Sequence, residues 1–110
     1  MRYVQKPWGA EFIWAETPRY AGKILRILDG HSLSLQKHAL KDETLMLISG
    51  TATLEVDGEI KEMLPDISWR IKPGTIHRIH AQEYSEILEV SSPELNDIER
   101  LEDRYGRLDD

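Results

Sequence analysis

The chain has no cysteine. That removes disulfides, thiolate metal sites and cysteine nucleophiles, and it fits life in a reducing compartment. It also lacks a basic surplus: 14 Lys and Arg stand against 20 Asp and Glu, for a formal net charge of −6. General binding to nucleic acid or to an anionic membrane is therefore not expected, although a local basic pocket remains compatible with that total. No apolar run reaches the length of a membrane span, and the N-terminus carries no signal-type apolar stretch. Low-complexity segments, linkers and solenoid-type repeats are also missing. With 110 residues and 40% hydrophobic residues, the chain suits a single folded domain over 1–110. These bounds predict a cytoplasmic protein. A domain this small buries a modest share of its surface, so a bound metal or a partner subunit would help to stabilise it.

What is present is a succession of short alternating segments broken by turns. Residues 23–28 form a candidate strand closed by Asp29-Gly30. Over 33–38, Leu33 and Leu35 point one way while Ser34, Gln36 and His38 point the other. Residues 45–48 run into Ser49-Gly50, and 51–56 place Ala52, Leu54 and Val56 on one face. Asp57-Gly58 reads as a tight hairpin turn before a return strand over 60–64. Ile67, Trp69 and Ile71 alternate with Ser68, Arg70 and Lys72 up to the Pro73-Gly74 turn, and 76–80 and 86–90 complete the set. Many short strands at this spacing predict an all-β sandwich or barrel. Toward the C-terminus, Ser92-Pro93 resembles a helix start, and Leu95, Ile98, Leu101 and Tyr105 fall near one helical face, predicting a short terminal helix.

Four side chains form a candidate metal site. Gln36 and His38 share a strand face about 6–7 Å apart. Glu43 opens the next strand after a short turn, and His77 follows the Pro73-Gly74 turn. In a barrel these strands are neighbours, so the four side chains can converge inside. Two imidazoles, one carboxylate and one amide oxygen suit a divalent transition ion: zinc first, with manganese, cobalt, iron or nickel as alternatives. Such a centre polarises carbonyl and hydroxyl oxygens. His31 and His80 lie outside the pattern and are expected at the surface.

At these residues the chain resembles the cupin superfamily, whose two motifs are matched by Gln36-x-His38-x4-Glu43-x6-Gly50 and by Pro73-Gly74-x-x-His77. The resemblance implies a small double-stranded β-helix, or jelly-roll, barrel. More narrowly, the chain is similar to the cupin domain of type II mannose-6-phosphate isomerases. Lys6-Pro7-Trp8-Gly9 resembles the opening of that family, Ser49-Gly50-Thr51-Ala52 its hairpin, and Leu88-Glu89-Val90 and Asp97-Ile98-x-Arg100-x-x-Asp103-x-Tyr105-Gly106-Arg107 its closing segments. The likeness covers the cupin part alone and carries no expectation of GDP-mannose synthesis. One stretch departs: after His38 the family tends to run through further His and Arg to Glu-His-Trp, where this chain reads Ala39-Leu40-Lys41-Asp42-Glu43-Thr44-Leu45.

The resemblance implies a phosphosugar substrate and an aldose–ketose isomerisation through an enediolate, from mannose 6-phosphate to fructose 6-phosphate. A base must reach the transferred proton. Glu89, between the apolar Leu88 and Val90, is the first candidate. Lys23, at the start of an early strand, is placed to reach the cavity mouth. Arg100, in the closing segment, would bind phosphate or stabilise the enediolate, and Lys41 and Arg78 are further phosphate candidates. Trp69 is expected in the core, and Trp8 over a barrel end. Two other functions fit the same residues. One is a non-catalytic sugar- or small-molecule-binding cupin, favoured by the departure after His38. The other is a non-haem metal oxygenase, since His38, His77 and Glu43 form a two-His, one-carboxylate set. Exposed edge strands predict a homodimer.

Overall fold

The computed structural model describes residues 1–107. Eleven strands run in chain order: β1 (Arg2–Lys6), β2 (Gly9–Glu16), β3 (Ala21–Ile27), β4 (Leu35–Lys37), β5 (Glu43–Ser49), β6 (Ala52–Val56), β7 (Glu59–Met63), β8 (Ser68–Ile71), β9 (His77–Ala81), β10 (Ser85–Ser91) and β11 (Glu99–Glu102). They form a six-stranded sheet, β1-β2-β3-β10-β5-β8, facing a five-stranded sheet, β11-β4-β9-β6-β7. All the pairings are antiparallel. This is the all-β barrel that the sequence predicts. Among the described residues no helix is long and apolar enough to cross a membrane.

Alternation builds the core. Leu25 and Ile27 of β3, Leu45 and Leu47 of β5, Leu54 of β6, Ile79 of β9 and Ile87 of β10 all point inward and are buried. Each such side chain contributes about 1.5–3 kcal/mol of hydrophobic stabilisation. The β6–β7 hairpin turns on Asp57 and Gly58, with φ of 49° and 83°. Two successive positive φ angles match the twist of the flanking strands. Gly50, at φ 97°, joins β5 to β6, and a Cβ there would stand 2.4 Å from the Ser85 hydroxyl and the Tyr84 carbonyl. A side chain at this corner is thus blocked by both conformation and space.

Several elements differ from the sequence reading. The predicted strand over 33–38 shrinks to Leu35–Lys37, with an isolated bridge between Ser32 and His80 before it. Residues 2–16, to which the alternation argument assigns nothing, form the β1–β2 hairpin. The predicted C-terminal helix does not form. Its residues make tight turns over 93–98 and then β11, which hydrogen-bonds the edge of β4. Two effects override the helical spacing. The Asp97 carboxylate accepts the backbone N–H groups of Ala39, Leu40 and Lys41 at 3.0, 2.6 and 2.9 Å. β4 meanwhile presents an edge whose backbone groups need a partner. His31 and His80 are half-buried rather than freely exposed: His31 stacks on Tyr105, and His80 hydrogen-bonds Ser32.

Candidate metal centre and its cavity

One end of the barrel interior opens into a cavity of about 410 Å³. Gln36, His38, Glu43 and His77 all line it, each buried to 8% exposure or less. Gln36 of β4 sits directly opposite His77 of β9. Glu43 arrives from the first position of β5, across the barrel. The ligand atoms of His38, Glu43 and His77 lie within 4.8 Å of one another.

The hydrogen bonds around the rings define what this cluster fits. His38 Nδ1 bonds the Asp97 carbonyl, and His77 Nδ1 bonds the Thr75 carbonyl at 2.9 Å. A carbonyl oxygen only accepts, so each Nδ1 carries a hydrogen and each Nε2 turns its other face to the cluster. Those two Nε2 atoms lie 3.1 and 3.0 Å from the same oxygen, Glu43 Oε1. Neutral imidazoles would set two lone pairs against a carboxylate oxygen. A proton on each ring or a cation among the three atoms makes the arrangement favourable. Fixing the ligand rings through their second nitrogens is also how metal-binding histidines are oriented. Gln36 donates its amide hydrogens to the Ser34 carbonyl and hydroxyl at 3.3 and 3.0 Å, which leaves its side-chain oxygen as the donor for a metal. The residues present therefore fit a divalent transition ion.

Behind the cluster lies a buried charge chain. Lys41 Nζ stands 3.4 Å from Glu43 Oε2 and 2.9 Å from Glu89 Oε2, and all three side chains are nearly fully buried. Burial opposes the Lys41 charge, but the Glu89 and Glu43 carboxylates outweigh it and raise the ammonium pKa above its ordinary value. Burial likewise opposes the Glu43 charge, yet His38, His77 and Lys41 hold its carboxyl well below the usual range. Glu89 goes the other way. Burial and the neighbouring Glu43 push its carboxyl up, against the pull of Lys41 and Lys23.

The other predicted site residues separate. Lys23 faces Glu89 across the β3–β10 pair and forms a buried ion pair with Glu11 at 3.1 Å. Arg100 lines the cavity opposite Gln36, and its buried Nε has no hydrogen-bond partner among the described residues. Arg78 is not in the cavity. It alternates with the inward His77, so it points outward, to Glu102 at 2.7 Å and Glu55 at 4.0 Å. Lys41 is in the cavity, but its charge is committed to two carboxylates. Trp69 packs against the core, as expected, while Trp8 is buried and lines the cavity.

Sequence reasoning assigned no role to Lys6, Glu11, Arg107 or Asp97. Lys6 and Arg107 line the cavity with Arg100. Burial and the neighbouring Lys23, Arg100 and Arg107 charges lower the Lys6 pKa, against the pull of Glu11. The mouth of the cavity is thus lined by cations, of which Arg107 is paired with Asp103 while the Arg100 Nε has no hydrogen-bond partner among the described residues. Its only sequence signal is membership of the two terminal blocks, Lys6-Pro7-Trp8-Gly9 and 97–107.

Known proteins place this architecture. The chain is 32% identical over 112 residues to mannose-1-phosphate guanylyltransferase ManC of Salmonella typhimurium, an alignment covering 97% of this chain and 23% of ManC. It is 34% identical over 109 residues to the alginate biosynthesis protein AlgA of Pseudomonas putida, covering 94% of this chain and 22% of AlgA. The chain thus spans about a quarter of the length of these curated relatives. Among solved structures, KdgF from Halomonas sp. superposes with a TM-score of 0.78 at 21% identity, over 84% of this chain and 86% of KdgF. A cupin-superfamily sugar phosphate isomerase from Silicibacter pomeroyi gives 0.69 at 19% identity, over 76% of this chain and 58% of that one. The model of the family described as mannose-6-phosphate isomerase C-terminal matches residues 1–103, and the chain belongs to that family of cupin domains.

Proposed function

We propose that this domain is a metal-dependent sugar-phosphate isomerase that interconverts mannose 6-phosphate and fructose 6-phosphate in the cytoplasm. The observation that carries the reading is the meeting, in one cavity, of the His38–Glu43–His77 cluster, the buried Glu89 and a cationic mouth. Gln36, His38, Glu43 and His77 would hold a divalent transition ion, zinc first, which supplies charge stabilisation at a substrate oxygen. Lys6, Arg100 and Arg107 surround the place where a phosphate would be held, and the unpartnered Arg100 Nε is a donor ready for it. Glu89 moves the proton between the two carbons of the aldose–ketose pair. Burial and the neighbouring Glu43 push its carboxyl above the ordinary carboxylate range, which makes it a stronger base than a solvated carboxylate for taking that proton. Lys23 and Lys41 flank Glu89 and keep a positive field beside it as charge develops on the substrate.

One observation favours a second reading, a sugar-binding cupin without turnover. Of the segment 39–42, only Lys41 lines the cavity, and two carboxylates hold it. Metal content and fructose 6-phosphate formation from mannose 6-phosphate, measured on one preparation with His38→Ala and Glu89→Gln variants, separate the two. Metal-dependent turnover lost in both variants supports the isomerase. Bound metal without turnover moves the assignment to the binding module. Failure to bind metal under any loading condition overturns the site.

A further inference from the structure

Two of the candidate ligands are joined by a loop that the far end of the chain holds in place. Residues 39–42 run from His38 to Glu43 between β4 and β5, and the terminal segment accepts all four of their N–H groups. Ala39, Leu40 and Lys41 donate to the Asp97 carboxylate, and Asp42 donates to the Ser92 hydroxyl at 3.0 Å. Asp97 also reaches a ligand directly, because its main-chain carbonyl accepts the His38 Nδ1–H. The Gly74 N–H, on the His38 carbonyl at 2.7 Å, fixes the backbone there but not the ring. β4, which carries Gln36, is similarly placed. It meets β9 through the single pair Gln36–His77, and its other side is covered by β11.

We propose that Asp97 is a positioning residue of the metal centre, and that through it metal binding and closure of 92–107 over the cavity form one linked equilibrium. The inference rests on the metal-binding part of the function proposed above, and neither the sugar nor turnover enters it. When the segment lifts, three loop N–H groups and the His38 Nδ1–H lose their acceptors together. His38 is then free to turn away from Glu43. In the other direction, an ion held by His38, Glu43 and His77 pins the loop at both ends. The three N–H groups then point where one carboxylate can take them all. An ionised carboxylate has about four acceptor sites, whereas Asn offers a single oxygen.

The segment has few other ties to the barrel. β11 is an edge strand beside β4, and the turns before it bond within themselves, Leu95 to Pro93, Asp97 to Glu94 and Ile98 to Asn96. Beyond β11 the Arg104 guanidinium bonds the Gly30 carbonyl at 2.8 Å, and Tyr105 stacks on His31. Leu95, Ile98 and Arg100 form one wall of the cavity, with Arg100 opposite Gln36. Closing the segment therefore completes that wall and sets Arg100 in it. Linkage is reciprocal: the factor by which closure raises metal affinity is the factor by which metal favours closure.

Amide hydrogen exchange of the whole protein, with and without zinc, tests this. Zinc at 100 times Kd should slow exchange over 39–41 and 99–102 by up to about 100-fold, the limit set by mass action. Ile60 and Lys61 of the β6–β7 hairpin should exchange at the same rate in both. In a second arm, calorimetry should show Asp97→Ala binding zinc at least about 10-fold more weakly than the wild type, with Asp97→Asn between the two. A carboxylate that only supported the fold would lower the denaturant midpoint and leave zinc affinity where it was. The wild-type exchange covers the case in which Asp97→Ala fails to fold. Bound zinc with unchanged exchange over 39–41 and 99–102 overturns the linkage and leaves the metal site standing. A folded Asp97→Ala with wild-type zinc affinity does the same. No zinc binding by the wild type overturns the metal site and the linkage with it.

Discussion

The two ends of the barrel interior are made by the same strands and have opposite chemistry. Toward the closed end, Ile87 of β10 and Leu47 of β5 stand side by side in register and buried, next to Leu25 of β3, which forms part of the cavity floor. Two residues further along β3 and β10, about 6–7 Å away, the inward pair is Lys23 and Glu89. β5 changes in the same way, from Leu47 and Leu45 to Glu43, and β9 from Ile79 to His77. Antiparallel pairing brings all these changes to one end, although the residues lie far apart in sequence. The closed end gains stability from apolar burial. The open end carries buried charges whose desolvation cost is offset only by their partners. The fold can thus hold an otherwise unfavourable cluster because the other end supplies the stability.

The sharpest way to break that division is to weaken the closed end alone. Ile87→Ala empties a fully buried site and should cost about 2–5 kcal/mol, read from the denaturant midpoint. Metal affinity should stay at the wild-type value while the protein is folded. If affinity fell along with stability, the two ends would be one cooperative unit rather than a support and a site.

The complementary change is Glu43→Gln, which keeps the shape but removes the one carboxylate both imidazoles face. Metal affinity should drop by more than the roughly 10–100-fold typical of groups behind the ligands. Metal at 100 times Kd stabilises a protein by about 2.7 kcal/mol. That gain in Tm should vanish in Glu43→Gln and persist in Ile87→Ala. Titration calorimetry and thermal melts with and without zinc would check both halves.

The same division explains what was legible in the sequence. Gln36, His38, Glu43 and His77 could be read because they keep the phase of their strands and differ only in polarity. The same rule sends Arg78 outward, since the neighbour of an inward His77 must point away from the cavity. β1 and β2 gave no clean period because both faces of the sheet there are partly apolar. Phe12 and Trp14 face out while Glu11 faces in, and a bulge between Ile13 and Ala15 breaks the phase. The C-terminal segment misled in the opposite sense. Leu95, Ile98, Leu101 and Tyr105 match a helical spacing, but Leu95 and Ile98 line the cavity, Tyr105 packs on the core and Leu101 is exposed. The need of β4 for an edge partner and the Asp97 hydrogen bonds leave no trace in local periodicity.

That terminal segment closes the open end, and its own anchor yields the smallest effect. Asp103 accepts hydrogen bonds from the Arg107 backbone and guanidinium at 2.8 Å, holding Arg107 where it lines the cavity. Burial opposes the Asp103 charge, but these bonds from Arg107 outweigh it and lower its carboxyl pKa. A carboxyl whose folded pKa is depressed adds stability that is fully present above its unfolded pKa, about 3.9, and is lost as pH falls through the folded value. Asp103→Asn should therefore be less stable than the wild type by about 1 kcal/mol at neutral pH, the net worth of a hydrogen-bonded pair whose carboxylate is covered while its Arg107 partner still reaches solvent. That difference should be constant from pH 7 to pH 5 and disappear in stronger acid, where the wild-type carboxyl is protonated too. Paired urea titrations across this range would decide it. A difference that changed between pH 5 and 7 would assign the stabilisation to a group other than this carboxylate, and the closing segment would then be held by β11 pairing and the Asp97 hydrogen bonds without it.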